Sequence, residues 1–314
     1  MTLAVRRYEP GDEAAWDQLV DRSRSGHFMF RRGYMDYHAD RFQDHSLLVY
    51  DGSKLVAALP ANVDGTALVS HGGLTFGGLQ IGDSTSARRV LEIFSALREH
   101  LRDLRIFSLL YKAVPHIYHR VPSEEDLHAL FVEGAALVRR DVSAAIRLDA
   151  RLPYTKGRKA AVKAAQRAEI EVGPSDDFDG FMALQEEVLR SRYDAEPVHA
   201  SDELALLASR FPGAITLHTA RVAGRLVAGV VVYRTEIVAH AQYIAANEEG
   251  RETHALDKLL DGLIAADQGS SRWWDFGTSN DRATGSLNEA LIRNKESYGA
   301  RAVVYDQYLL DLAA

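Results

Sequence analysis

The chain has 314 residues, 46% of them hydrophobic, which is material for about two domains at roughly 150 residues each and excludes a disordered or fibrous protein. Lys and Arg total 37 against 44 Asp and Glu, and the formal charge of −7 argues against a protein built to hold duplex DNA through its phosphates. The absence of cysteine removes disulfides, thiolate zinc sites and cysteine nucleophiles together, leaving His, Asp, Glu, Lys, Tyr and Ser as the catalytic inventory.

In chain order, Met1 to Tyr8 carries no apolar signal region, and no stretch reaches the ~18 uncharged apolar residues that cross a bilayer. The expectation is a soluble cytoplasmic protein with no transmembrane segment. Glu13 to Arg22 reads as a helix, and Ser46 to Val63 as a hairpin turning at Asp51-Gly52. Ser70 to Leu79 (SHGGLTFGGL) has two Gly pairs that permit close backbone approach to a ligand, with His71 as a polar group beside it; a pair of β-bulges gives the same pattern. A helix from about Ser86 to Asp103 follows, with Val90, Leu91, Phe94, Leu97 and Leu101 on one stripe. The strand Arg105 to Lys112, the helix Ser123 to Val132 and the strand Val138 to Leu148 close the first half.

Pro153 interrupts regular structure and places a boundary within Asp149 to Thr155, giving domains 1–150 and 151–314. Lys159, Lys163 and Arg167, spaced by four, align on one helix face that suits a diphosphate, an RNA backbone or plain solvent. Two helices, Asp177 to Arg190 and Ser201 to Arg210, precede the hairpin Ile215 to Tyr233. Its GRLVA (Gly224 to Ala228) repeats the GSKLVA of Gly52 to Ala57. The strand Glu236 to Ala246, the helix Thr253 to Gln268, the strand Arg272 to Thr278, the helix Leu287 to Ser297 and the strand Ala302 to Leu312 then match the order of the first half. The fold class is therefore α+β: two tandem units, each a mixed, mostly antiparallel sheet flanked by helices.

The segment LNEALIRNKESYGA fixes a resemblance. Strand, Gly-Arg loop, helix, strand, a helix opening near Asn288 and a final strand are similar to the coenzyme A-binding half of the GNAT acyltransferase superfamily, whose members end on Asn-x-x-Ala-x-x-x-Tyr-x-x-x-Gly-Phe. Gly299 falls on the family glycine, while Leu291, Lys295 and Ala300 replace the alanine, tyrosine and phenylalanine. Lys295 followed by Tyr298-Gly299 resembles the tandem-GNAT proteins, namely the Fem aminoacyltransferases and related acyltransferases of nucleotide-linked amino sugars. GRKAAVKAAQRAEIEV (Gly157 to Val172), HAQYIAAN and DFGTSN extend the resemblance.

The resemblance implies acyl coenzyme A as co-substrate, a small amine acceptor such as a nucleotide-linked amino sugar of polysaccharide biosynthesis, no DNA and no metal. A homo-oligomer stays open. Alternatives within the same fold are an aminoacyl-tRNA donor, as in the Fem enzymes, and an inactive binding module. The turn Gln242 to Ala255 would leave backbone N–H groups free for a diphosphate at a helix start, making Gly250, Arg251, Thr253 and His254 cofactor candidates with Asn288. By the resemblance, Tyr243, Ile244 and Ala245 offer peptide N–H groups to the acyl carbonyl.

His240 and Gln242 alternate along one strand and share a face, with Tyr243 on the other. His240 is either a proton relay or a histidine bonded within the sheet. Asp275, a lone carboxylate in an apolar strand, is a candidate base or a structural cap. Lys295 is a candidate stabiliser of the tetrahedral oxyanion or the leaving group, or a solvated lysine. Arg192 is carried over as a phosphate contact. Gly26 to Phe42, with Arg31 and Tyr34, either walls the acceptor pocket or packs a helix on the sheet, and the twelve histidines form no metal cluster.

Overall fold

The computed structural model describes residues 3–193, 200–281 and 283–313, and of 191–193 only the backbone. The chain divides into two compact units, Met1–Asp141 with Val304–Ala314, and Val142–Val303.

The first unit contains β1 (Leu3–Arg7), α1 (Glu13–Arg22), α2 (Arg32–Met35), β2 (Leu47–Asp51), β3 (Lys54–Leu59), β4 (Asn62–Asp64), β5 (Ala67–Val69), β6 (Gln80–Ile81), α3 (Ala87–Asp103), β7 (Ser108–Lys112), α4 (Glu125–Val132) and the start of β8 (Ala136–Arg147). The hairpin β2–β3 turns at Gly52, whose φ of 60° is the left-handed conformation a tight turn requires. It joins β1 and β6 in the order β1-β2-β3-β6. The stripe read from the sequence of α3 is buried: Val90, Phe94, Leu97 and Leu101 pack in one cluster with Leu47, Leu59 and Tyr111.

The second unit contains the rest of β8, then α5 (Lys156–Arg167), β9 (Ile170–Ser175), α6 (Phe178–Tyr193), α7 (Ser201–Arg210), β10 (Ile215–Val222), β11 (Arg225–Arg234), β12 (Val238–Ala246), α8 (Glu248–Glu252), α9 (Ala255–Ala266), β13 (Trp273–Thr278), α10 (Glu289–Glu296) and the start of β14 (Arg301–Asp311). Its sheet runs β8-β13-β12-β11-β10-β9, antiparallel except for β12 with β13. On one face Leu259, Leu260 and Leu263 of α9 pack with Ala165 of α5 and Tyr298 against Val230, Val232, Ala239 and Ala241. The other face receives α6, whose Phe181 ring lies where a side chain on Gly229 of β11 would be, 2.5 Å from that missing Cβ.

Both units are mixed, mostly antiparallel α+β folds, as the sequence implies. The last strand departs from the expected division. Gln307 to Asp311 of β14 pair with β7, so the C-terminal residues complete the first unit.

Candidate active site

The second unit opens where two strands part. β12 and β13 pair in parallel over only three residues, Val238–His240 with Trp273–Asp275, and among the described residues the ladder does not resume. β12 continues along β11 to Ala246, while β13 follows β8. Past His240, the edge of β12 faces a gap between two diverging strands.

A bulge sits at the same place. Ala241 opposes Val232 and Tyr243 opposes Val231, so Gln242 is the extra residue. This corrects the strict alternation expected from the sequence. His240, opposite Tyr233, and Tyr243, opposite Val231, share the face towards α6, while Ala239, Ala241, Ile244 and Ala246 turn to the α9 core.

At the fork, five groups form one hydrogen-bonded chain. Asp275, with no exposed surface, accepts from Ser143 Oγ and from the Gly277 N–H (3.1 Å) on Oδ1, and pairs through Oδ2 with His240 Nδ1 at 2.8 Å. A buried carboxyl needs such partners, and here two donors meet one oxygen while an imidazole nitrogen faces the other. Gly277, at φ 75°, also offers its carbonyl to Lys295 Nζ (2.8 Å), which donates further to the Thr278 carbonyl (2.8 Å) and Ser279 Oγ (2.9 Å). Lys295 is 5% exposed, and burial lowers its ammonium to about 8, an effect the nearby Asp275 opposes. All three lysine protons are thus committed to the β13 terminus, and the oxyanion contact expected of Lys295 has no free donor in this arrangement.

Beside the fork is a cavity of about 660 Å³. Ile244 and Ala246 of β12, Phe276 of β13, Leu256 and Leu260 of α9 and Leu291 of α10 give it apolar walls, and Gln185, Val188 and Leu189 of α6 close another side. Since α6 and α9 lie on opposite faces of the sheet, the cavity passes through the fork. Three cationic residues line it, Arg158, Arg251 and Lys295, against one carboxylate, Asp257.

Arg158 and Asp257 belong to a network that the sequence reading did not find. The guanidinium pairs with Asp257, donates to Ser297 Oγ (2.9 Å) and lies 4.1 Å from the centre of the Tyr298 ring. The Tyr298 hydroxyl donates to Asp257 Oδ1 at 2.9 Å, and its burial raises that hydroxyl above the ordinary phenol range. These contacts tie α5, α9 and α10 together. The inward stripe Arg158, Val162, Ala165 was the available signal, hidden among the neighbouring lysines. Lys159, Lys163 and Arg167 stand on the exposed side of the same helix.

The expected loop at Glu249 to His254 is a helical turn. Asn247 caps α8 by accepting from Gly250 N, and the N–H groups of Arg251, Thr253 and His254 bond to the Asn247, Glu249 and Arg251 carbonyls. Gly250 is required because a Cβ there would lie 2.2 Å from the Val227 carbonyl oxygen, a packing reason rather than a ligand reason. Arg251 donates to the Ala246 carbonyl (2.7 Å), and Thr253 Oγ1 to that of Glu249 (2.7 Å). The backbone N–H donors expected on these residues are spent. Those remaining belong to the first turn of α9, whose N-cap His254 is left-handed (φ 59°) and makes no side-chain cap bond. Asn288 lines the cavity and caps α10 by accepting from Leu291 N (3.0 Å).

The remaining candidates have surroundings of their own. Arg31 pairs with Asp21, and Tyr34 is buried against the Phe28 and Tyr37 rings. His71, left-handed at φ 58°, stacks on His38 at 5.1 Å, and burial pushes its imidazole down to about 3. The glycines beside it admit protein, not ligand: a Cβ on Gly73 would meet His38 Nε2 at 2.3 Å, and one on Gly77 the Ser70 carbonyl oxygen at 2.0 Å. Arg192 lies in the last turn of α6, and its side chain falls outside the described residues. Among the described residues no three His, Cys, Asp or Glu side chains gather as a metal site, and no helix is long and apolar enough to cross a membrane.

A sequence profile for the acetyltransferase (GNAT) domain matches residues 154–283. No curated protein sequence matches the chain. Among solved structures, the crystal structure of FemX superposes with a TM-score of 0.68 at 9% identity, covering 96% of each chain. The structure of L-PGS from Bacillus licheniformis has a TM-score of 0.60 at 12% identity, over 97% of this chain and 92% of that one. A tandem GNAT protein from the clavulanic acid biosynthesis pathway has a TM-score of 0.56 at 12% identity, over 99% and 98%. At such identities the likeness is one of fold.

Proposed function

We propose that this chain, whose residues 154–283 match an acetyltransferase (GNAT) domain and whose fold is like those of FemX and a tandem GNAT protein, is an N-acyltransferase that moves an acyl group from acyl coenzyme A to an amine. The acceptor is a nucleotide-linked amino sugar in polysaccharide biosynthesis. One observation carries the reading: a cavity lies at the fork of β12 and β13, and the hydrogen-bonded His240–Asp275 pair is the last pairing of the two strands before they part.

His240 serves as the base. Asp275 accepts the Nδ1 proton and so presents Nε2 as the acceptor, on the face turned to α6. The amine nitrogen attacks the thioester carbonyl carbon, the C–N bond forms, and one N–H proton passes to Nε2. The C–S bond then breaks and the electron pair leaves with sulfur, a good leaving group that needs no strong acid. Lys295 is a positioning residue: it holds the Gly277 carbonyl, and the Gly277 N–H in turn holds Asp275. The first turn of α9 and the Arg251 guanidinium in the cavity lining suit a diphosphate.

The exposed basic face of Lys159, Lys163 and Arg167 favours a second reading, an aminoacyl-tRNA donor. Thermal denaturation separates the two. Coenzyme A at a hundredfold excess over its Kd should raise the Tm by about 5 °C, from roughly 2.7 kcal/mol of linkage. A protein that ignores coenzyme A and binds tRNA takes the second reading, and indifference to both rejects each.

A further inference from the structure

Gln185 occupies a position where helical periodicity calls for an apolar residue. Phe181, Met182 and Leu184 on the same helix are buried, and Gln185 is 7% exposed among them. Its Oε1 is buried and has no hydrogen-bond partner among the described residues, and the side chain lines the cavity at the fork. A buried amide oxygen left unpaired is costly, and cores that retain one have a use for it.

The surroundings define that use. An amide oxygen seeks an N–H donor. Val188, Leu189, Ile244, Leu256, Leu260 and Phe276 make the walls around it apolar. Arg158, Arg251 and Lys295 outnumber Asp257 in the lining, so a cationic amine is disfavoured there and a neutral amide on an anionic carrier is favoured. We infer that Gln185 Oε1 accepts a hydrogen bond from an amide N–H of the donor's pantetheine arm, so that this glutamine selects an amide-bearing thioester carrier. The inference rests on the acyl coenzyme A reading and deepens it by assigning a recognition residue within that site.

Gln185→Met keeps the length of the side chain and removes both polar atoms. A glutamine that serves the fold would take stability with it, whereas one that serves a ligand leaves the free protein at the wild-type Tm or up to about 3 °C above it. Calorimetric titration with coenzyme A, and separately with pantetheine, should give a Kd about five- to tenfold weaker for the variant than for wild type, by the same factor for both probes. Unchanged affinity for either probe overturns the inference, as does a Tm several degrees below wild type with affinity retained. A wild-type protein that binds neither probe refutes the coenzyme A reading and this assignment with it, an outcome distinct from a variant that binds as well as wild type.

Discussion

Asp275→Asn is the sharpest test of the fork. Oδ1 receives two donors, Ser143 Oγ and the Gly277 N–H, and Oδ2 faces His240 Nδ1. The amide that replaces the carboxyl keeps its oxygen on the two-donor side, so its NH2 faces His240. The imidazole must then accept at Nδ1 and carry its proton on Nε2, where it can no longer act as base. A positioned base contributes about 10²–10⁴ in rate, and a loss of that size in single-turnover acyl transfer is expected. Stability should change much less. One hydrogen bond to a charged group, worth ~1.5–3 kcal/mol, becomes a neutral one worth ~1 kcal/mol, so the variant stays folded in urea titration. His240→Gln should lose the same factor, and the double variant no more than either single one, because the two residues act as a unit. A rate within threefold of wild type, or losses that multiply in the double variant, would refute the assignment.

Gly250→Ala should destabilise the second unit by about 1–3 kcal/mol in urea titration, because its Cβ would sit 2.2 Å from the Val227 carbonyl oxygen, which belongs to a strand and cannot move aside. Tyr298→Phe leaves Asp257 without the hydroxyl at 2.9 Å and should cost about 1–2 kcal/mol, with a weaker effect on turnover than Asp275→Asn. Alkaline pH should stabilise the protein before it unfolds it. Lys112 and Lys295 hold their protons only to about 8 in the fold against 10.5 when exposed, so between these values the unfolded chain binds more protons and unfolding free energy rises with pH, by up to about 1.4 kcal/mol per unit for each lysine. Above pH 10 the trend reverses, because burial holds the Tyr154 phenol up to about 12 while its unfolded counterpart ionises. Urea midpoints that fall steadily from pH 8 to 10 would contradict this.

Much of the architecture was legible because it rests on periodicity. The stripe of α3, the turn at Gly52 and the hairpin β10–β11 follow from patterns of 3.6 and 2 with left-handed turn residues. The order of elements after each hairpin carried the duplication. What escaped depends on pairings between distant residues. A bulge at Gln242 costs one residue of register and leaves no compositional trace, yet it moves Tyr243 to the face of His240. Ser143 and Asp275 are 132 residues apart, and only the pairing of β8 with β13 brings them together. Gln185 was visible in principle as a polar residue in an apolar stripe, but its meaning lies in the cavity that its neighbours form.

The two buried lysines show why burial alone does not identify a catalytic group. Lys112 in the first unit donates to the His71 and Leu74 carbonyls, and Lys295 in the second to those of Gly277 and Thr278, so each clamps a glycine-containing segment. Burial depresses both to about 8. They differ in what the clamped segment does next. The His71 segment packs on His38 and Phe42, whereas Gly277 passes its N–H to Asp275 and through it to His240. Replacement of either lysine by Met leaves two carbonyls without their donor and should lower stability by a similar ~1–3 kcal/mol. Only Lys295→Met should also slow turnover, by about tenfold to a hundredfold with KM little changed, as expected for a residue that positions a base rather than binds substrate. Equal losses of turnover in the two variants, at matched stability, would reduce Lys295 to a structural clamp.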